Sequence, residues 1–230
     1  MAEVAKKQNC YIVCPIITKK EGRVYNSSIL IDRKGEIAGI YHKVHPTDGE
    51  VLRAGITPGE IKPPVFKTDF GTIGMQICYD GDFFDSWGHL KKQGAEIVLF
   101  SSQAPFRDIL RYHAWMNHYY ITASTGEYAR IIDISGDIIS DSGSLKRWVC
   151  APVNLEKVLI HTWSYLNRLE DIRKKYRKRI NIKILHDENW ATIESLDAGI
   201  QVNDILEEYE IPTYDKYIRE NEEIQNKYRV

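Results

Sequence analysis

Short β-type runs dominate the hydrophobic pattern of the first fifth of the chain. A charged stretch with helical character at residues 2–8 comes first, and apolar and β-branched residues then fill 10–18, 24–32 and 36–42. Short glycine-containing turns separate these three runs. Two β-rich runs split by such a turn are typical of a hairpin, so this region is predicted to form antiparallel strands.

Further along the chain, β-type runs alternate with segments whose apolar residues follow helical spacing. Strands joined by helices and then by hairpins predict an α/β layered fold with a mixed sheet. The predicted strands cover 65–69, 72–78, 96–100, 119–124, 129–134, 137–140 and 148–154, and the predicted helices cover 83–93 and 107–117.

Two segments differ from this alternating pattern. Residues 46–64 are rich in proline and glycine, which predicts a loop that carries functional side chains. From residue 186 onward the sequence is rich in Glu, Tyr, Asn and Lys, and its apolar residues are scattered. We therefore predict a domain over 1–185 and an extension over 186–230 that packs on this domain or on a partner subunit.

Composition and charge limit the possible classes of protein. The 230 residues are 43% hydrophobic and 27% charged, with a formal net charge of −1, so no global field draws the chain to nucleic acid or to a membrane. No apolar run reaches the ~18 residues of a membrane helix, and the charged N-terminus does not resemble a signal peptide. The four cysteines do not suggest a disulfide scaffold, which favours a cytoplasmic location.

Metal and nucleic-acid sites are not predicted either. The histidines show no ligand spacing with carboxylates or thiols, so we expect no metal and no other cofactor. The basic run at 173–179 lies next to acidic residues and is interpreted as a solvated helix face, with nucleic-acid binding as the weaker alternative.

Cys78 is the main candidate for chemistry. It ends the predicted strand 72–78 and is followed by a polar turn and a helix, an arrangement that often presents a nucleophile. The start of the next helix offers backbone N–H groups that suit an oxyanion. From position alone, a buried strand cysteine that acts as a small hydrophobe is the simpler interpretation.

Six short motifs follow one another in a fixed order, and together they favour the nucleophile interpretation of Cys78. The motifs are Tyr25-Asn-Ser27, Tyr41-His-Lys43-Val-His45, Pro58-Gly59, Phe70-Gly-Thr-Ile-Gly74, Ile77-Cys-Tyr-Asp80 and Gly94-Ala-Glu-Ile97. With these motifs the chain resembles the nitrilase superfamily of carbon–nitrogen hydrolases, from about residue 2 to about residue 180. The resemblance implies an α/β fold of four layers, an α-β-β-α sandwich, here N-terminally truncated. It also implies a homodimer or higher homo-oligomer, with the 107–117 helix and the C-terminal tail as contacts.

The resemblance also implies roles for individual residues. Cys78 would attack the carbon of an amide, nitrile or carbamoyl group. Lys43 would stabilise the thiolate and the tetrahedral intermediate, together with the backbone N–H of Tyr79. Glu50 matches a supporting glutamate that would hold Lys43 or the substrate. A solvated lysine at a strand end and an exposed loop acid are the alternative interpretations of Lys43 and Glu50.

The expected substrate is a linear amide or a carbamoyl (ureido) compound, since Cys-Tyr-Asp resembles the amidase and carbamoylase branches. Ser101, Ser102 and Gln103 follow the predicted 96–100 strand, at the end of a sheet where such folds bind ligands. We expect them to line the pocket. An ordinary polar loop is the alternative for these three residues.

One departure from the family pattern concerns the general base. In the family this glutamate lies upstream, and the sequence begins inside the helix that would follow it. Glu3 and Glu21 do not occupy its position. Turnover is therefore expected to be impaired, although a thiolate can still be acylated slowly. A catalytically inactive binding or assembly protein and an acyltransferase on the same scaffold are the alternative functions.

Overall fold

The computed structural model describes residues 1–143 and 145–230, and these divide into compact units at 1–153 and 154–230. The predicted boundary at residue 185 lies inside the second unit. Strands β11 (Ile180–Leu185) and β12 (Trp190–Ser195) are antiparallel neighbours on either side of that position, so their ladder joins the residues before and after it.

The first unit begins with a helix and an antiparallel sheet of three strands. Helix α1 (Ala2–Gln8) ends at Asn9, whose φ of 50° is left-handed. Strands β1 (Ile12–Lys20), β2 (Arg23–Ile31) and β3 (Ile37–His42) then pair in chain order. The predicted helix and both hairpins are therefore confirmed, with bounds that shift by one or two residues.

A six-stranded sheet forms the second layer of this unit, in the order β4-β5-β6-β7-β8-β9. The pairs β5–β6 and β6–β7 are parallel and the other pairs are antiparallel, so the predicted mixed sheet is confirmed. The strands are β4 (Phe66–Lys67), β5 (Thr72–Ile77), β6 (Ile97–Ser102), β7 (Tyr120–Thr125), β8 (Ala129–Ile132) and β9 (Ile138–Asp141).

Helices connect the parallel strands and pack on one face of this sheet. Helix α3 (Phe84–Lys92) and helix α4 (Asp108–Asn117) bury Trp87, Leu90, Leu110 and Ala114 against residues of β6, β7 and β8. A second apolar cluster joins the two sheets through β2, β3 and β5. Strand β5 therefore contributes to a core between the two sheets, and its C-terminal end is fixed by packing. The residues of this second cluster are Leu30, Tyr41, Val44, Ile73, Met75 and Ile77.

The prediction of a strand at residues 148–154 is wrong. These residues have no strand pairing, and the next strand is β10 (Lys157–His161). Trp148 and Cys150 are exposed, and the segment lines a cavity of about 480 Å³ instead of joining a sheet. Residues 148–153 form an almost entirely apolar run, which suits a cavity wall as well as a strand, so the pattern does not distinguish the two.

The second unit has its own sheet and its own core. Its sheet has the order β10-β12-β11, and it is accompanied by helices α5 (Leu166–Tyr176), α6 (Val202–Glu208) and α7 (Tyr214–Asn226). The apolar residues that appear scattered after residue 186 meet in this core, among them Val202, Ile205, Leu206 and Ile211. No helix within the described part of the chain is both long enough and apolar enough to cross a bilayer.

Candidate active site

Cys78 lies at the point where β5 ends and a 3-10 turn (Cys78–Asp82) begins. Its side chain is half-buried, and its φ of 48° places the backbone in the left-handed region. A residue other than glycine in this region stores strain of roughly 1 kcal/mol or more and persists only where its surroundings hold it. The turn therefore presents the thiol in a conformation that the packing around it has to enforce.

Lys43 forms a buried ion pair next to this turn. It directly follows β3, its N–H donates to Asn26 O (2.8 Å), and its side chain is only 2% exposed. The ammonium Nζ donates to Glu50 Oε2 at 2.7 Å. A buried lysine needs such a partner, since an isolated charge would be expensive to remove from water. The alternative of a solvated lysine does not describe this side chain.

Glu50 belongs to a short helix inside the segment that was predicted as a functional loop. In helix α2 (Asp48–Leu52), Thr47 caps the N-terminus and the Glu50 carboxylate accepts from Thr47 N at 2.8 Å, a capping box. Asn26 Nδ2 donates to the other carboxylate oxygen at 2.7 Å. Three donors, one from Lys43, one from Thr47 and one from Asn26, thus fix the orientation of Glu50.

The same contacts set the protonation state of Glu50. Burial on its own would raise the pKa of this carboxyl, but the hydrogen bonds from Lys43, Asn26 and Thr47, with the Lys43 charge, lower it to about 2 from the ordinary 4.5. Glu50 is therefore an anion that neutralises Lys43 across the whole physiological range of pH.

This shift predicts an acid-dependent loss of stability. Because the pKa of Glu50 is lower in the folded chain than in the unfolded chain, its stabilising contribution is full above pH 4.5 and is lost as the pH falls towards about 2. Urea unfolding as a function of pH measures it. We expect Glu50→Gln to flatten the stability profile in that window, and an unchanged acid limb in this variant would contradict the assignment.

One cavity of about 570 Å³ brings most of the predicted site residues together. Cys78, Lys43, Glu50, Ser101, Ser102 and Gln103 all line it. Tyr79 is not among its lining residues, because its side chain is 38% exposed and packs edge-on against Phe83. The predicted role of Tyr79 rests on its backbone N–H, which directly follows Cys78. The other lining residues are Val13, Pro15, Asn26, Thr47, Ile77, Ser124, Thr125 and Gly126.

Asp80 is the most informative residue that sequence reasoning left without a role. It is fully buried, and its carboxylate accepts from Ile77 N (2.9 Å), from Tyr41 Oη (2.6 Å) and from His45 N (2.8 Å). It thereby ties the Cys78 turn to both sides of Lys43. The sequence signal is a carboxylate two residues after the thiol, in the polar turn that follows the strand.

Metal chemistry has no obvious site here. Within residues 1–143 and 145–230, no group of three or more His, Cys, Asp or Glu side chains could hold a metal ion. The cavity itself has one thiol, one ammonium and one carboxylate among its lining residues, with hydroxyl and amide groups around them. This set can perform nucleophilic attack at a carbonyl carbon and can stabilise the resulting oxyanion.

The chain is similar to known proteins in both sequence and fold. The sequence pattern described as "Carbon-nitrogen hydrolase" matches residues 1–159. Deaminated glutathione amidase of Synechocystis is 28% identical over 168 residues, which cover 62% of each chain. N-carbamoylputrescine amidase of Solanum tuberosum is 25% identical over 211 residues, which cover 76% of this chain and 70% of the relative. The chain thus spans about 62% of the length of the Synechocystis relative.

The solved structures agree with the predicted fold class. A carbon-nitrogen hydrolase from Helicobacter pylori G27 superposes with a TM-score of 0.59 at 21% identity, over 76% of this chain and 68% of that one. An amidase from Nesterenkonia superposes with a TM-score of 0.56 at 19% identity, over 62% and 60% of the two chains. The predicted α-β-β-α sandwich is therefore confirmed as the fold class.

Proposed function

This chain belongs to the carbon–nitrogen hydrolase family, and from that premise we propose that it cleaves non-peptide C–N bonds through a thioester on Cys78. The observation that carries the proposal is the single cavity in which the half-buried thiol of Cys78 meets the Lys43–Glu50 pair. A thiol at a strained strand end, next to a buried ammonium, has the groups that an acyl transfer to sulfur needs.

In the proposed reaction, the Cys78 thiolate attacks the carbonyl carbon of the amide. The C–S bond forms while the carbonyl π electrons move to oxygen, and the Lys43 ammonium and the Tyr79 N–H stabilise this oxyanion. When the oxyanion collapses, the C–N bond breaks, and the leaving nitrogen takes up, through solvent, the proton that the Cys78 thiol released. The product is a thioester on Cys78, which water hydrolyses to the acid and the free thiol.

Glu50 serves this reaction by holding Lys43. It is the one carboxylate among the described residues that line the cavity, and its pKa of about 2 makes it a poor base near neutral pH. It is thus unsuited to activate the water that would hydrolyse the thioester. We infer that formation of the thioester is faster than its hydrolysis, so the acyl-enzyme accumulates.

The substrate class that we propose is a small linear amide or carbamoyl compound. Curated relatives are named for deaminated glutathione, N-carbamoylputrescine and β-ureidopropionate chemistry, which are amide and carbamoyl functions. Ser101, Ser102 and Gln103 supply neutral hydrogen-bonding groups to the cavity. Such groups suit the carbonyl and N–H of an amide, since buried polar groups on both partners are then paired.

A burst experiment tests the proposed function. With p-nitrophenyl acetate, we expect a rapid release of about one equivalent of p-nitrophenolate per chain, followed by a slow phase, because deacylation is limiting. Cys78→Ala should abolish the burst, and Cys150→Ala should keep it, since Cys150 is an exposed thiol outside the cavity. A burst of equal size in Cys78→Ala would overturn the proposal.

The expected accumulation of thioester also favours a second candidate, an acyltransferase. Discharge of the thioester that added amine accelerates well beyond the rate in water would support transfer over hydrolysis. Complete absence of acylation would instead favour a binding or assembly protein. Incubation with the same activated ester therefore separates the two alternatives.

We also propose that the chain self-associates through α4. Tyr112 and Met116 on this helix are 42% and 48% exposed, and Phe84 on α3 packs edge-on against Tyr112 at 5.4 Å between ring centroids. An exposed apolar patch of this kind suits a second copy of the chain. Sedimentation velocity should show a dimer that Met116→Arg weakens, and a wild-type monomer at all concentrations would contradict it.

A further inference from the structure

We propose that Trp87 and His113 are positioning residues that hold the Cys78 turn in the shape needed for acylation, an inference that rests on the proposed function. Both side chains are buried, and they come from different helices, α3 and α4. Neither residue lines the cavity. They contact the turn from helices α3 and α4, and not from the cavity.

Each side chain donates one hydrogen bond to a carbonyl of the turn. Trp87 Nε1 donates to Asp80 O at 2.8 Å, and His113 Nε2 lies 2.8 Å from Gly81 O. A carbonyl oxygen can only accept, so Nε2 of His113 carries the hydrogen. Burial lowers the pKa of His113 to about 4, although the Gly81 carbonyl opposes this shift, so the ring is neutral near pH 7.

The two rings also fix each other. They stack with centroids 4.1 Å apart and planes 4° from parallel, which leaves neither ring free to turn away from its carbonyl. The other side of the turn is equally closed, because a Cβ added at Gly81 would lie 2.8 Å from the ring of Phe106. The end of the turn is therefore held by two donors and by close packing.

These hydrogen bonds hold the backbone of Cys78, the strained residue at the start of the turn, in its left-handed conformation. Asp80 holds the start through Ile77 N, and Trp87 and His113 hold the end through two successive carbonyls. Between these anchors lies the Cys78–Tyr79 peptide, whose N–H is the proposed oxyanion donor. If the end of the turn relaxes, the left-handed φ of Cys78 can relax with it and the donor moves away from the oxyanion.

Two reactions of the Cys78 thiol distinguish a loss of positioning in the turn from general damage to the protein structure. Acylation by p-nitrophenyl acetate forms a C–S bond, places charge on the carbonyl oxygen and expels p-nitrophenolate. Alkylation by iodoacetamide also forms a C–S bond, but iodide leaves directly and no oxyanion forms. We expect Trp87→Phe and His113→Phe to slow Cys78 acylation about tenfold, while alkylation changes by less than about twofold.

Matched variants complete the experiment. Tyr119→Phe removes a buried hydroxyl that donates only a long hydrogen bond (3.5 Å) to the backbone carbonyl of Trp87 and does not touch the turn, so it should leave both rates unchanged. His113→Gln, which can still donate, should recover part of the acylation rate. Acylation and alkylation that fall in parallel, or that both stay at the wild-type rates, would overturn the inference alone. A wild-type chain whose Cys78 is not acylated at all would overturn the proposed function and this inference together.

Discussion

Replacement of Lys43 by methionine is expected to slow acylation of Cys78 by about 10²–10³-fold, the usual effect of losing a preorganised group that stabilises an oxyanion. Methionine keeps most of the buried volume of lysine and removes only the ammonium. The variant should also lose roughly 2–3 kcal/mol of unfolding free energy. The reason is that Glu50, which is 23% exposed, would keep Asn26 and Thr47 as donors but lose its counter-charge.

The double variant Lys43→Met/Glu50→Gln separates the two effects. Removal of the orphaned carboxylate charge should restore most of the stability, but it cannot restore acylation because the ammonium is still absent. Urea unfolding and the burst rate with p-nitrophenyl acetate provide the two measurements. Acylation at the wild-type rate in Lys43→Met would show that Lys43 has only a structural role.

Replacement of Asp80 by asparagine is expected to lower the unfolding free energy by about 3 kcal/mol and to slow acylation as well. The two Asp80 oxygens accept from Ile77 N, Tyr41 Oη and His45 N, all in a buried setting. An amide has one NH₂ group where the carboxylate has an acceptor, so at least one buried donor would face another donor. Urea unfolding measures the loss of stability.

Asp85→Asn is the matched control for this substitution. Asp85 lies in the same region, on α3, but its side chain is 58% exposed and stays 4.0 Å from His45. Its Oδ1 accepts from Ser86 N at 2.8 Å, a bond that the Oδ1 of asparagine can keep. Its replacement should change stability by less than about 0.5 kcal/mol. Equal effects of the two substitutions would show that the buried contacts of Asp80 do not set the geometry of the turn.

Much of the first unit could be predicted because its elements follow local rules. The hairpins β1–β2 and β2–β3 have glycine-containing turns, and the parallel strand β6 begins with four consecutive apolar residues. The second unit was harder, because the core contacts of Val202 and Ile205 join residues from separate strands and helices. Val202, Ile205 and Leu206 do follow the helical spacing i, i+3, i+4, but this spacing does not show which strands they pack against. The sequence alone therefore favours an extension after residue 186.

The sequence predicts those residues of the candidate site that belong to recognisable motifs. Cys78 and Lys43 stand out in ordered motifs, and Glu50 lies at a recognisable distance from Lys43. Asp80 and the two proposed positioning residues, Trp87 and His113, were missed for a physical reason. Asp80 accepts from Tyr41 and His45, and Trp87 and His113 reach carbonyls of the turn. The sequence does not show which of these distant groups will meet.

Mass spectrometry can show directly which cysteine carries the proposed thioester. Incubation with p-nitrophenyl acetate, followed by rapid quenching and peptide mass mapping, compares the four thiols of one chain under identical conditions. The reagent leaves a covalent acetyl group whose position in the sequence can be read from the peptide masses.

We predict that one acetyl group accumulates on Cys78, at least about tenfold faster than on Cys10, Cys14 or Cys150, which do not line the cavity with Lys43. The adduct should disappear in Cys78→Ala and form slowly in Lys43→Met. Acetylation spread evenly over the four cysteines, or confined to the exposed Cys150, would contradict the identification of Cys78 as the nucleophile.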